Sequence, residues 1–200
     1  MIVYFNHINH NKPMNFYSED IKNDIIDNSP VEEIIDRLDD FKAGSRYIFL
    51  KYAGLSVGPE YTDAMVTNER NSMAFHCIDN EFEMANCPSI MVYRRFPKLE
   101  TDEIIYYILL ICTKSKFKGM GYASKLLDGF VERVKEETKK YENTKTIKIV
   151  LSSVETAVTF YEEYGFKWTR KSLKEHKPLT WFEAYDEEKE YFIMEMDIVH

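Results

Sequence analysis

Residues Ile104–Thr138 read IIYYILLICT KSKFKGMG YASKLLDGFVERVKEET, and three patterns follow one another along them. Ile104–Thr113 is rich in Ile, Leu and Tyr with no alternation, which predicts a strand buried on both faces. Tyr122, Ala123, Leu126, Leu127, Phe130, Val131 and Val134 recur at three and four residues, the period of an amphipathic helix. Lys139 and Lys140 stand near its C-terminal end, where cations are favoured. Between strand and helix lie Gly119 and Gly121, two of only seven glycines in the chain. A backbone without Cβ atoms can approach a ligand closely and turn successive N–H groups towards it. The helix N-terminus adds unpaired donors and a positive partial charge, so an anion is favoured there. Lys114, Lys116, Lys118 and Lys125 add full charges, with no acid among residues 114–125. The stretch reads as a phosphate cradle; the competing reading is a glycine-eased turn carrying solvated lysines.

Downstream, Ile147–Leu151 reads as a second buried strand. Strand, helix, strand in this spacing makes a right-handed crossover with parallel strands. A short helix follows, for which Ser152 and Glu155 suggest a capping box and Gly165 a stop. Phe166–Arg170 and Tyr191–Ile198 read as further strands, separated by a polar insert with Trp181 and the acidic run Glu183–Glu190. Upstream, Ile2–Phe5, Ser72–Ile78 and Ser89–Arg95 read as strands. Ser29-Pro30-Val31-Glu32 starts a helix with Val31, Ile34, Ile35 and Leu38 as its apolar stripe, and a shorter helix precedes it around Ser18–Ile26. Arg46–Ala53 is apolar without a clean period. Gly, Pro, Asn and Asp near 54–71 and 79–88 predict loops.

The composition, 44% hydrophobic and 30% charged over 200 residues, is that of a folded globular chain and not of a disordered one. The longest apolar run, Ile104–Cys112, is too short to span a bilayer, so a soluble cytoplasmic protein with no membrane partner is expected. Cys77, Cys87 and Cys112 include no Cys-x-x-Cys, so neither a disulfide scaffold nor a metal site is expected; His7-x-x-His10 has no converging ligands in view. Residues 114–140 hold eight bases and four acids, a balance of +4, so the rest of the chain carries −12 of the net −8. An acidic body with one basic segment points away from nucleic acid and towards a cationic ligand beside a local anion site.

The nature of the phosphate ligand follows from what surrounds the glycines. Gly-x-x-x-x-Gly-Lys-Ser/Thr is absent, which excludes a P-loop. Gly119-Met120-Gly121-Tyr122-Ala123-Ser124 starts like a dinucleotide fingerprint but has Ser in third place and only one crossover unit around it. Lys116-Phe117-Lys118-Gly119-Met120-Gly121, after a strand ending at Thr113, instead resembles the acetyl-coenzyme A motif Arg/Gln-x-x-Gly-x-Gly/Ala of the GNAT family of N-acetyltransferases. Phe160-Tyr161-Glu162-Glu163-Tyr164-Gly165-Phe166 is similar to that family's Phe-Tyr-Glu-x-x-Gly-Phe helix end. The two motifs come in the family's order, with one helix and one strand between them. The likeness covers residues 104–169.

The resemblance implies an α/β fold of the α+β type: a mixed, mostly antiparallel sheet flanked by helices, with the strands at 104–113 and 147–151 splayed to admit acetyl-CoA. It implies a single domain over 1–200, with substrate-side elements in 1–100, the cofactor core in 101–170, and the insert and final strand in 171–200. By position, Ile111, Cys112 and Thr113 would pair with the pantetheine arm. Lys116, Phe117, Lys118, Gly119, Met120, Gly121, Tyr122, Ala123 and Ser124 would seat the pyrophosphate, and Phe160 would line the site. The implied reaction is direct attack of an amine on the thioester in a ternary complex, with acetyl-CoA as co-substrate, no metal, and a monomer or homodimer as the working unit. Tyr161 matches the family tyrosine that serves as acid for the leaving thiolate; it also reads as a core aromatic. The family's frequent strand carboxylate falls at Ile105 here, which leaves Glu103, two residues earlier on the same face, as the nearest base; Glu100, Asp102 or a water chain compete with it. Lys116 keeps the charge of the motif's first position but not its planar donors, and Val154 replaces a frequent Asn. Cys112, inside a buried strand with no His nearby in sequence, reads as an inert core thiol. A non-catalytic descendant of the same fold, binding CoA or a protein partner, is the competing functional class.

Overall fold

The computed structural model describes residues 2–6, 59–68, 70–76, 78, 87–98, 102–139, 146–176, 179 and 191–198. The helices expected at 18–26 and 29–38, the apolar stretch 46–53, Glu100, Trp181 and the acidic run 183–190 lie outside the described residues. Seven strands form one sheet: β1 (Ile2–Asn6), β2 (Ser72–His76), β3 (Ser89–Lys98), β4 (Glu103–Thr113), β5 (Thr146–Ser153), β6 (Lys167–Trp168) and β7 (Phe192–Asp197). Their order is β1-β2-β3-β4-β5-β7-β6. Only β4 and β5 run parallel; every other pair is antiparallel.

Strand alternation divides the interior in two. Ile105, Tyr107 and Leu109 of β4 pack with Val92, Val150 and Ile193 on one face, which also holds Met65 and Val66 of α1 (Pro59–Thr67). Ile104, Tyr106 and Ile108 point to the other face, against Leu126, Leu127, Phe130 and Val134 of α2 (Tyr122–Thr138) and Tyr161 of α3 (Val158–Tyr164). Phe130 is fully buried between the rings of Tyr93 at 4.8 Å and Tyr106 at 6.1 Å. Burying one such side chain stabilises the fold by about 1.5–3 kcal/mol. The Tyr106 hydroxyl donates to Glu137 at 2.8 Å, so α2 is tied to β4 by a polar contact as well. Among the described residues no helix is long and apolar enough to cross a membrane.

Three local readings change. The region 54–71 is not all loop: α1 begins at Pro59, a residue suited to a first helical turn, and buries Thr62, Met65 and Val66 at three- and four-residue spacing. Ser152 does not cap a helix, because β5 continues through it and pairs it with Ile193. The following 3-10 turn, Glu155–Ala157, is preceded by Val154 with no side-chain cap. A capping box does form, at Ser172 and Glu175. The strand expected at 166–170 is reduced to Lys167–Trp168, since Gly165 (φ 115°) ends α3 immediately before it.

Candidate active site

The parallel β4–β5 ladder runs from Glu103↔Thr146 to Ile108↔Leu151 and stops there. Among the described residues, β4 continues to Thr113 paired with β3 alone and β5 continues to Ser153 paired with β7 alone. The cause is visible in the β3–β4 register. Val92 faces Leu110 but Tyr93 faces Ile108, so Leu109 is an extra residue on β4. A bulge bends its strand and increases the local twist, and here it falls one residue past the last β4–β5 pair. The hydroxyl of Tyr61 on α1 donates to the Leu109 carbonyl at 3.0 Å. Burial, and then the neighbouring Tyr191, push the Tyr61 phenol up to about 12, so it remains a donor. The result is a wedge between β4 and β5, whose β4 side is the backbone of Leu109 to Thr113, including Ile111, Cys112 and Thr113. An extended chain laid there would find main-chain donors and acceptors of a strand with one side open.

At the top of β4 the chain turns through a 3-10 segment, Ser115–Phe117, into α2. Gly119 and Gly121 both take φ 76°, a left-handed conformation that L-side chains rarely adopt. A Cβ at either would meet nothing within 4 Å, so open space faces both. Phe117, Lys118 and Met120 spend their N–H groups on the turn, donating to Lys114, Ser115 and Phe117 at 2.8, 3.3 and 3.4 Å. Gly121, the N-cap, offers no side chain, and the first helical bond to its carbonyl comes from Lys125 at 3.0 Å. The N–H groups of Gly119, Gly121, Tyr122, Ala123 and Ser124 therefore have no partner among the described residues. The expected cradle narrows to these five donors. Lys116, Lys118 and Lys125 are exposed around it, whereas Lys114 is buried, with its N–H donated to Pro88 at 2.9 Å. Lys116 and Lys125 lie over the rings of Phe117 and Tyr122 at 4.6 and 5.3 Å, and Met120 is exposed at the tip. His76, which sequence reasoning did not single out, stacks its ring 5.5 Å from Tyr122. Burial comes first and Lys125 adds to it in lowering the basicity of His76.

Tyr161 lies in the buried cluster that holds Ile108 and Leu151, the last pair before the wedge. Its ring packs on Phe160 at 5.1 Å and Phe166 at 5.6 Å. Its carbonyl accepts from Gly165 and Phe166 at 3.1 and 2.9 Å, and Tyr164 anchors the same helix to Asp128 of α2 at 2.9 Å. The Tyr161 hydroxyl has no hydrogen-bond partner among the described residues, and burial pushes its pKa upward. It is a protonated phenol packed in the core cluster on the α2 face of the sheet.

Glu103 is not brought to this place. It opens β4 at the far end of the ladder, five residues before Ile108, a distance of about 17 Å along a strand. There it pairs with Lys148 at 3.5 Å. It lies on the face that alternation predicts, two residues before Ile105 and on the side of the ladder away from the wedge. Asp102 is exposed in the turn before it, with φ 51°.

Cys112 is half-buried on the wedge side of β4. Burial pushes its thiol up to about 12, against smaller opposing effects of Lys118 and Lys114. At pH 8 that leaves roughly a thousandth of the thiolate of an ordinary cysteine. Cys112→Ala is expected to keep kcat within about twofold, and native-state alkylation mapped by mass spectrometry should leave Cys112 unmodified. Acetylation of Cys112 by acetyl-CoA would reverse this reading. Among the described residues no group of three His, Cys, Asp or Glu is arranged to hold a metal.

Comparison with known proteins agrees with this geometry. Residues 96–183 match the family model of the acetyltransferase (GNAT) domain. Among solved structures, GCN5 from Tetrahymena superimposes with a TM-score of 0.54 at 12% identity, over 80% of this chain and 88% of that one. A candidate N-acetyltransferase from Lactobacillus plantarum gives 0.52 at 16% identity, over 80% and 92%. At such identities the structural likeness is one of fold. None of the curated proteins matches the sequence.

Proposed function

We propose that this chain, whose residues 96–183 form a GNAT acetyltransferase domain, is an N-acetyltransferase that moves the acetyl group of acetyl-CoA directly to a primary amine. The single observation that carries the reading is the wedge: a β4 backbone open on one side from Leu109 to Thr113, leading straight into five unpaired N–H groups at the start of α2. The pantetheine arm would lie along Ile111 to Thr113. The pyrophosphate would sit on Gly119 and Gly121 to Ser124, with Lys116 and Lys118 supplying charge. The thioester would then lie near the last β4–β5 pair, beside Tyr161.

In this reading the neutral amine nitrogen attacks the thioester carbon, the C–S bond breaks as Tyr161 gives its proton to the departing sulfur, and the proton shed by the new amide nitrogen returns through water to restore the Tyr161 phenol. A positioned acid prevents the leaving thiolate from standing unprotonated in a buried site. Burial pushes the phenol's pKa upward, so it is present as a donor throughout the assay range while its driving force for full transfer is reduced.

The acceptor is proposed to be cationic, since the chain outside 114–140 carries −12. Such a body raises the local concentration of amines, an effect that salt weakens. Replacing Asp186, Glu187 and Glu188 of the acidic run by Asn, Gln and Gln tests whether that run takes part. The expected outcome is roughly threefold or more lost from kcat/KM at low salt, with a flatter salt dependence. Curves that overlay the unaltered protein would remove the run from recognition. The function itself is tested by thiol release from acetyl-CoA with a panel of lysine peptides, N-terminal peptides, polyamines and small amines. Release that depends on one amine class is expected; binding of acetyl-CoA with no release for any amine would favour a CoA-binding module.

A further inference from the structure

On the sheet face opposite α2 lies a buried polar group to which the account so far gives no task. Tyr107 of β4, Val150 of β5 and Glu195 of β7 form one row across the sheet, next to the row of Ile108 and Leu151 where the ladder ends. Between Tyr107 and Glu195 stands His176, 7% exposed. The Tyr107 hydroxyl is 3.3 Å from His176 Nδ1, and His176 Nε2 is 3.5 Å from Glu195 Oε1. His176 is fixed locally as well as by these partners. Ser172 and Glu175 close a capping box on the 3-10 turn Leu173–Glu175, the buried Leu173 anchors that turn, and the His176 N–H donates to the Leu173 carbonyl at 3.0 Å. We propose that Tyr107, His176 and Glu195 form a buried proton relay beneath the last β4–β5 pair that takes up the proton of the acceptor ammonium by way of water entering the wedge, since Tyr107 itself is only 2% exposed, with His176 and Glu195 positioned behind it. The proposal rests on the acetyltransferase reading above.

The chemistry demands such a group. A primary amine of the lysine type has a pKa near 10.4 and is almost wholly protonated at pH 7, yet only the neutral amine attacks. The β4 position where the resemblance puts a carboxylate is Ile105, and Glu103, two residues further from the wedge, is engaged with Lys148 at 3.5 Å. Tyr161 occupies the α2 face, where it serves the sulfur; a base is needed on the opposite face, where the relay stands. Imidazole is the side chain whose proton affinity suits neutral pH.

The proton bookkeeping balances. With the proton on Nε2, which lies 3.5 Å from Glu195 Oε1 without hydrogen-bonding to it, Nδ1 accepts from the Tyr107 hydroxyl. As an ammonium N–H breaks and its proton passes through water to Tyr107 Oη, the proton already on Oη passes to His176 Nδ1. The products are a neutral amine, an intact phenol and an imidazolium facing the Glu195 carboxylate. Burial, and then the carboxylates of Glu103 and Glu195, push the Tyr107 phenol well above its ordinary pKa, so it passes protons without resting as a phenolate. The other charges around the relay are Lys171 at 2.9 Å and Lys148 at 3.8 Å from Glu195, with Glu103 3.5 Å from Lys148. Two ammonium groups already balance the two carboxylates, so the imidazolium makes the cluster net +1 and passes its proton on rather than resting charged.

The test is the pH dependence of kcat/KM with the best amine found. The unaltered protein should show an acid limb, where protonation of the relay imidazole removes the base. His176→Gln should abolish that limb and lower kcat by roughly 10²-fold, with the KM for acetyl-CoA within about threefold. Glu195→Gln removes the carboxylate that favours imidazolium, so its limb should move to lower pH; this variant carries the test where His176→Gln fails to fold. In the unaltered protein, nitrogen-15 NMR should find the His176 proton on Nε2 with Nδ1 bare. An unmoved limb in the variants, kcat within about threefold, or the opposite tautomer would overturn the relay while leaving the acetyltransferase reading in place. Absence of amine-dependent thiol release in the unaltered protein would instead overturn that reading, and the relay with it.

Discussion

Tyr161→Phe is expected to lower kcat by about 10²–10⁴-fold, the range of a positioned general acid, while the KM for acetyl-CoA stays within about threefold. The substitution removes one oxygen and nothing else. The ring still packs between Phe160 and Phe166, and the carbonyl still accepts from Gly165 and Phe166. The hydroxyl makes no bond to another described residue that its loss would break, so stability should change little. Because burial holds this phenol protonated across the whole assay range, the loss should be equal at every pH and should shift no limb. That separates Tyr161 from the proposed base, whose variants change the profile. A kcat within about threefold of the unaltered protein would make Tyr161 a packing residue only.

Gly121→Val should weaken acetyl-CoA binding at least tenfold, about 1.4 kcal/mol. Two effects act together. The branched side chain enters the open space next to the five free donors, where an anion would approach. At φ 76° a β-branched residue is also strained, by about 1–3 kcal/mol, so thermal stability should fall as well. Gly165→Ala separates the two. Gly165 also has positive φ, but its added Cβ would be 3.9 Å from Met196 Sδ and far from the cradle in the chain. It should cost stability and leave the calorimetric affinity for acetyl-CoA unchanged. Unchanged affinity in Gly121→Val would refute the cradle.

The back half of the chain is readable because its signals are strong and local. A nine-residue apolar run can only be a buried strand or helix segment, and the period of α2 is sustained from Tyr122 to Val134. Two glycines in a glycine-poor chain mark a turn that takes positive φ twice within three residues. The wedge itself is not local. It depends on a bulge at Leu109 set by pairing with β3, which no pattern within β4 discloses. The proposed relay is harder still to see, since Tyr107, His176 and Glu195 come from three elements. Two signals were nevertheless present: a Ser172-x-x-Glu175 box immediately before His176, and a carboxylate at Glu195 between two methionines in the final strand. The polar composition of 171–190 hid the first. Similarly, the Pro and Asp residues around 59–63 looked like loop, yet Pro59 starts α1. Glu103 shows the limit of alternation as a guide: it fixes the face of a sheet, while the position along the strand is fixed by where the ladder ends.

Amide hydrogen exchange with and without acetyl-CoA tests the central claim most directly, since it reports where the cofactor lies without requiring an acceptor. Seating in the wedge predicts added protection at the amides of Ile111 to Thr113 and of Gly119 and Gly121 to Ser124, with the outer strands β1 and β2 unchanged. Tight binding with no added protection at either segment, or with protection confined to other parts of the sheet, would contradict the account.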